Sequence, residues 1–125
     1  MKENDLSGLI VDICLNIHKK LGPGLFESIY EEILVYELAN NGISFSRQVP
    51  IPVFWKNIKL NIGFRADLII ENKLILEIKS TEHLAPVHYK QLLTYLKLTD
   101  IRLGLLINFN EALIKDGIRR VVNGY

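Results

Sequence analysis

Apolar residues at Leu6, Ile10, Ile13, Cys14, Ile17 and Leu21 recur at helical spacing, so the chain opens with an amphipathic helix. Gly22-Pro23-Gly24 stops that helix and turns the chain. A second helical pattern follows, with Phe26, Ile29, Tyr30, Ile33 and Leu34 inward, and ends near Asn40-Asn41-Gly42. The period then changes to two. Val49, Ile51 and Val53 alternate with Gln48, Pro50 and Pro52, which predicts a strand whose prolines suit a sheet edge. Ile58, Leu60 and Ile62 alternate with Lys59 and Asn61, leaving Trp55-Lys56-Asn57 as a turn. Phe64–Ile70 and Leu74–Lys79 read as two more strands, parted by Glu71-Asn72-Lys73. Pro86 opens a third helix running to about Thr99, residues 103–109 form a buried strand, and Ile118–Val122 is a last short element. The predicted class is α/β (α+β), in the order α-α-β-β-β-β-α-β.

Composition narrows the picture only slightly. No repeat or linker divides the 125 residues, so one domain over residues 1–125 is expected. Hydrophobic residues at 49% and charged residues at 23% are the balance of a folded globular chain and exclude disorder. No apolar run approaches the roughly 20 residues of a membrane helix. The acidic start, Met1-Lys2-Glu3-Asn4-Asp5, lacks a signal-peptide layout, and the single Cys14 makes no internal disulfide; a cytoplasmic location is expected. Fifteen Lys and Arg against 14 Asp and Glu leave a formal charge of +1. That weighs against a protein coating nucleic acid by charge alone, but leaves room for a small basic patch.

The chemistry sits on the hairpin. A three-residue connection pairs Ile70 with Leu74, Leu68 with Leu76 and Ala66 with Ile78, all apolar; a two-residue loop would mix polar and apolar residues on both faces. The odd loop places Arg65, Asp67, Glu77 and Lys79 together on the other face. Asp67 then lies opposite Glu77, with Cβ atoms roughly 5 Å apart. Two carboxylates at that separation repel by about 3 kcal/mol at an effective dielectric near 20. A divalent cation such as Mg²⁺ or Mn²⁺, which takes one or two carboxylates and keeps several waters, would hold them. A surface salt-bridge ladder, with diagonals Arg65–Glu77 and Asp67–Lys79, explains the same four residues. The pattern alone leaves the two explanations open.

Asp67, nine intervening residues, then Glu77-Ile78-Lys79 resembles the core of the PD-(D/E)XK nuclease superfamily. The run from His18 to Tyr30, with Gly24, Glu27 and Tyr30 spaced as Gly-x-x-Glu-x-x-Tyr, is similar to the signature of the GxxExxY proteins, a branch of that superfamily. Phe64-Arg65-Ala66-Asp67-Leu68, the run from His88 through Gln91 to Tyr95-Leu96, and Gly104-Leu105-Leu106-Ile107-Asn108-Phe109 resemble that branch in the same order. The resemblance covers residues 7–123. Ala66 stands where the superfamily usually has a proline before the first acid.

What the resemblance implies is a restriction-endonuclease-like core, a mixed sheet flanked by helices. It implies a metal site in which Asp67, Glu77 and the Ile78 carbonyl bind Mg²⁺ or Mn²⁺. Lys79 would position or activate the attacking water, and Glu27 would complete the acidic cluster from the second helix. Gln91 and Tyr95 match third-helix positions facing the site. The implied activity is metal-dependent hydrolysis of phosphodiester bonds in nucleic acid, DNA first. The alternative is a catalytically silent nuclease-fold binding or regulatory module, which the near-neutral charge favours.

Other residues have simpler readings. Glu27 suits the first turn of any helix through the macrodipole, and Tyr30 lies on the apolar stripe. Gly22 and Gly24 lack the Gly-Lys-Ser/Thr ending of a phosphate loop. His18, His83 and His88 are not at metal-ligand spacing, although His88 shares a helix face with Gln91 and Tyr95 and could meet phosphate, as could Arg65. Trp55 is a base-stacking platform only if exposed. Arg119 and Arg120 fit a solvated edge. A homodimer would give so small a nuclease the surface to grip both strands of a duplex.

Overall fold

In the computed structural model, which describes residues 1–124, helix α1 (Glu3–Leu21) buries Leu6, Ile10, Ile13, Cys14 and Ile17 along one stripe. Glu3 and Asp5 in its first turn and His18, Lys19 and Lys20 in its last complement the macrodipole. Gly22 ends it, closing its N–H on the His18 carbonyl at a φ of 70° that favours glycine.

Helix α2 (Glu27–Asn40) departs from the expected stripe. Tyr30, Leu34, Val35 and Leu38 are buried, but Phe26 and Ile29 are exposed. Phe26 is the extended residue that precedes the helix, so it does not share the helical period. Glu31 occupies a buried position instead, which periodicity alone would assign to an apolar residue.

Strand β1 (Phe45–Ile51) begins earlier than its alternation suggests and lies at the sheet edge, where its proline needs no ladder donor. The strand expected at residues 58–62 shrinks to β3 (Ile58–Lys59), which pairs only with β2 (Phe54–Trp55) in a separate ribbon. Alternation reports an extended chain and not which sheet receives it. Strands β4 (Phe64–Ile70), β5 (Leu74–Lys79), β6 (Leu103–Asn108) and β7 (Ile118–Val122) complete the main sheet, in the order β1-β4-β5-β6-β7. Every pairing is antiparallel except β5–β6, which helix α3 (Pro86–Thr99) connects in parallel. The architecture is the mixed, helix-flanked sheet that the resemblance implies.

Two apolar clusters fix the layers. Leu68, Ile70, Leu74, Leu76 and Ile78 pack with α1 and α2 on one face. Ile51, Ala66, Ile75 and Leu106 pack with Leu92, Tyr95 and Leu96 of α3 on the other. A Cβ at Gly104 would lie 3.0 Å from the Leu92 side chain, so glycine gives Leu92 of α3 room to pack closely on β6. The β4–β5 register pairs Ile70 with Leu74, Ile69 with Ile75 and Leu68 with Leu76, as the three-residue connection requires. The expected third apolar pair does not form. Ala66 and Ile78 end in different clusters, because the strands part there.

Candidate active site

Beyond the Leu68–Leu76 pair the hairpin forks. Strand β4 stays with β1 as far as Phe64, and β5 stays with β6 as far as Lys79. The two acids fill the fork. Glu77 Oε2 accepts the Asp67 N–H at 2.7 Å, and Asp67 Oδ2 accepts the Ile78 N–H at 2.8 Å. Carboxylate oxygens thus stand where ladder carbonyls would stand, and each acid has a second oxygen to offer.

Glu77 is only 4% exposed and Asp67 is half-buried. Burial raises both above the ordinary carboxylate range, against the backbone donors that favour their charged forms. The neighbouring Asp67 charge adds to burial at Glu77, which is pushed up to about 8. Among the described residues no ion pair joins Arg65 or Lys79 to either acid, so the salt-bridge ladder is not formed. A buried and a half-buried acid that meet without a cationic partner are a donor set suited to a divalent ion with oxygen ligands. The residues present fit the implied metal.

Lys79 follows Glu77 by two residues, and its strand is held to the end by the Phe109 N–H, which donates to the Lys79 carbonyl at 2.9 Å. Asn108 secures the chain just beyond. Fully buried, it accepts the Thr81 N–H at 3.0 Å and donates to the Thr81 carbonyl at 2.9 Å. The sequence reading quoted Asn108 without a role; an amide ending the apolar run Leu103–Ile107 is the signal that could have found it.

Helix α3 supplies the opposite wall. Tyr95 is buried, its ring centroid 5.4 Å from that of Phe64. Burial and then the Glu77 and Asp67 charges push its hydroxyl up to about 12, which places it within electrostatic reach of the fork. Gln91 lies half-buried one turn earlier. His88 is partly committed to structure, since its Nδ1 accepts the Ala85 N–H at 3.0 Å and caps the helix. In the neutral ring the proton then lies on Nε2. Arg65 is exposed, across from Pro50 on β1.

Glu27 is placed near the fork but not in it. Ser80 Oγ donates to the Leu25 carbonyl at 2.7 Å, which sets the start of α2 beside the end of β5. Tyr30 ties the same loop, donating to the Gly22 carbonyl at 2.6 Å and accepting the Leu25 N–H at 3.2 Å, with its ring stacked on Phe109. Glu27 itself is exposed at the first position of α2. Among the described residues no three acids, histidines or cysteines form a ready metal cluster, so the expected completion by Glu27 is not present.

The helical glutamate that is buried is Glu31, one turn on, and its charge contributes to raising Asp67. It is held by Arg47 Nη2 at 2.8 Å and Gln48 Nε2 at 2.8 Å. Gln48, with a φ of 47°, is the β1 residue level with Asp67, between the Arg47–Leu68 and Val49–Ala66 pairs. The sequence reading missed both Glu31 and its partners. Cys14 and His18 are structural: burial pushes the thiol up to about 12, and His18 Nε2 lies 2.8 Å from the Glu111 carbonyl.

Comparison with known proteins bears on this geometry. The solved structure of SSO0001 is similar to this chain, with a TM-score of 0.58 and 25% identity, covering 79% of this chain and 51% of that one. The chain thus spans about half the length of that protein. Among curated proteins none matches significantly. A model of the PD-(D/E)XK nuclease superfamily matches residues 4–121, which include the fork, both of its acids and Lys79. No helix is long and apolar enough to cross a membrane among the described residues. The chain belongs to the PD-(D/E)XK nuclease superfamily.

Proposed function

We propose that this protein is a Mg²⁺- or Mn²⁺-dependent phosphodiesterase that hydrolyses nucleic acid, DNA first, and that it lies in the GxxExxY branch of its superfamily. The observation that carries the reading is the pair of acids at the fork, Asp67 half-buried and Glu77 buried, without a cationic partner and with Lys79 two residues after Glu77. The branch assignment is supported by how the motif is used. Gly24 turns the chain at a φ of 98°, Tyr30 staples the loop, and Glu27 is delivered beside the end of β5.

Asp67, Glu77 and the Ile78 carbonyl are the residues that would hold the ion. When bound, such an ion lowers the pKa of a coordinated water and offsets charge on the scissile phosphate. Lys79 holds the attacking water in line and neutralises phosphate oxygens through its compact ammonium. Gln91 and Tyr95 offer hydrogen-bonding groups from α3. Arg65 and the outward Nε2–H of His88 meet phosphates farther from the reacting atom. Glu27 orders water at the mouth from the α2 side.

The formal charge of +1 favours the second reading, a binding module of the same fold without turnover. A cleavage assay decides between them. Metal-loaded protein is offered single-stranded, duplex and branched DNA and RNA, and Mn²⁺-dependent cleavage of at least one is expected. Binding without cleavage of any would transfer the proposal to the second reading.

A further inference from the structure

The ribbon β2–β3 takes no part in the fork and leaves its apolar side chains exposed. Phe54 is 57% exposed, Trp55 66% and Ile58 63%. Their surroundings are electrically one-sided. Between Glu37 and Asp67 the chain has no acid and four cations, Arg47, Lys56, Lys59 and Arg65. Arg47 is engaged by Glu31 and Glu32, whereas Lys56, Lys59 and Arg65 have no ion pair among the described residues. Lys56 Nζ lies 6.0 Å from the centroid of the Trp55 ring.

A cleft of about 360 Å³ joins Lys59 of this ribbon to Arg65 of β4, beside Pro50, Pro52, Leu60 and Phe64. Arg65 is two residues from Asp67, and the Phe64 ring meets Tyr95. Gly63 shapes the passage: a Cβ there would come 2.7 Å from the Ile51 carbonyl oxygen.

We infer that the β2–β3 ribbon and this cleft form a binding track for single-stranded nucleic acid, with a base stacked on Trp55 beside Lys56 on one face of the ribbon, and with Phe54 and Lys59 on the other face leading into the cleft that Arg65 lines. Exposed aromatic faces interleaved with cations and free of acids are the chemistry of single-strand binding, because every base offers a π-face and every linkage a charge. A duplex satisfies only the second half of that chemistry, since its bases are already stacked on one another. The track deepens the nuclease reading by naming the strand form delivered to Asp67 and Glu77, and in that sense it rests on that reading.

Trp55 is the sole tryptophan, so its emission reports the track directly. Wild-type protein is titrated in EDTA, which prevents cleavage, with oligothymidylate, oligouridylate and a duplex of equal length. Saturable quenching by a single strand is expected, with weaker binding of the duplex. By anisotropy of a labelled oligonucleotide, Trp55→Ala is expected to lose roughly ten- to a hundredfold in affinity. Lys56→Gln with Lys59→Gln is expected to reduce the slope of log affinity against log salt by about 1.4, at roughly 0.7 per phosphate contact. All three positions are exposed, and circular dichroism confirms that the variants fold. No quenching by either single strand, equal affinity for the duplex, or unchanged affinity in Trp55→Ala overturns the inference. So does self-association that buries Trp55, which would make the ribbon a contact between copies of the chain. Single-strand binding without Mn²⁺-dependent cleavage leaves the track standing and removes the nuclease reading; cleavage without Trp55-dependent binding does the reverse.

Discussion

Two groups of acids, Glu31 and the Asp67–Glu77 pair, are withdrawn from solvent and treated in opposite ways. Glu31 receives a guanidinium and an amide: Arg47 Nε and Nη2 both reach its Oε2, at 3.1 and 2.8 Å, while Gln48 holds its Oε1. Asp67 and Glu77 receive backbone N–H groups but no cation, although Lys79 is close enough for its charge to lower both. The first arrangement is closed by a cation, whereas the second is closed only by backbone donors and by a hydrogen bond between the two carboxyls, whose proton a divalent ion can replace. Burying charge costs free energy unless it is paired, so a pair without a cation persists where a ligand supplies one or where function requires it. The difference separates a structural network from a site.

The sharpest way to break the comparison is kinetic. Lys79→Ala should lower Mn²⁺-dependent cleavage by on the order of 10²–10³ while metal binding persists, because its ammonium acts on water and phosphate and not on the ion. Lys79→Arg should restore only part, since a planar fork cannot place a donor where a compact ammonium does. Cleavage rates measured beside metal titrations check this, and full activity in metal-loaded Lys79→Ala would remove the assigned role.

The next effect is on stability. Mn²⁺ at one hundred times its dissociation constant should stabilise the wild type by about 2.7 kcal/mol. Asp67→Asn should abolish that gain while leaving the metal-free fold as stable as before or slightly more so, since it removes a repulsion. Thermal melts with and without Mn²⁺ separate the cases. Equal shifts in both proteins would place the ion elsewhere.

The Glu31 network should behave in the opposite sense. Arg47→Met leaves a buried carboxylate short of its donor and should destabilise the fold by about 1–2 kcal/mol, whether or not metal is present. The value stays modest because the Arg47 side chain is 36% exposed. Urea denaturation measures it. No loss of stability would mean that Gln48 alone satisfies Glu31.

The remaining effect is the pH dependence of the metal-free protein. Glu77 titrates near 8 in the folded chain, against an ordinary value of 4.5. Between those values the folded state holds a proton that the unfolded state has released. Its contribution to stability is therefore present at low pH and is lost as pH rises through about 8, and the raised Asp67 acts in the same direction. Denaturation midpoints in EDTA across this range should fall with rising pH. Asp67→Asn should flatten the fall, because it removes one of the charges that raises Glu77.

The hairpin was legible in the sequence because its two determinants are local. A three-residue connection and a period of two suffice to pair Leu68 with Leu76, and hence to bring Asp67 near Glu77. The fork was not legible. It arises because β1 and β6 draw the two strands apart, and those partners lie far away in sequence. Glu31 was hidden for the same reason: its burial depends on Arg47, 16 residues away, and on a strand register that no helical pattern contains. Residues 58–62 show the limit from the other side, since their alternation is real but only Ile58 and Lys59 find a partner strand.

The central claim is that the fork between Asp67 and Glu77 is a metal site. Crystals soaked in Mn²⁺ and measured for anomalous scattering test it most directly. The account predicts a difference peak in contact with both carboxylates and the Ile78 carbonyl. Mn²⁺ bound elsewhere on the protein, with the fork bare or closed by a direct Lys79 ion pair, would contradict it.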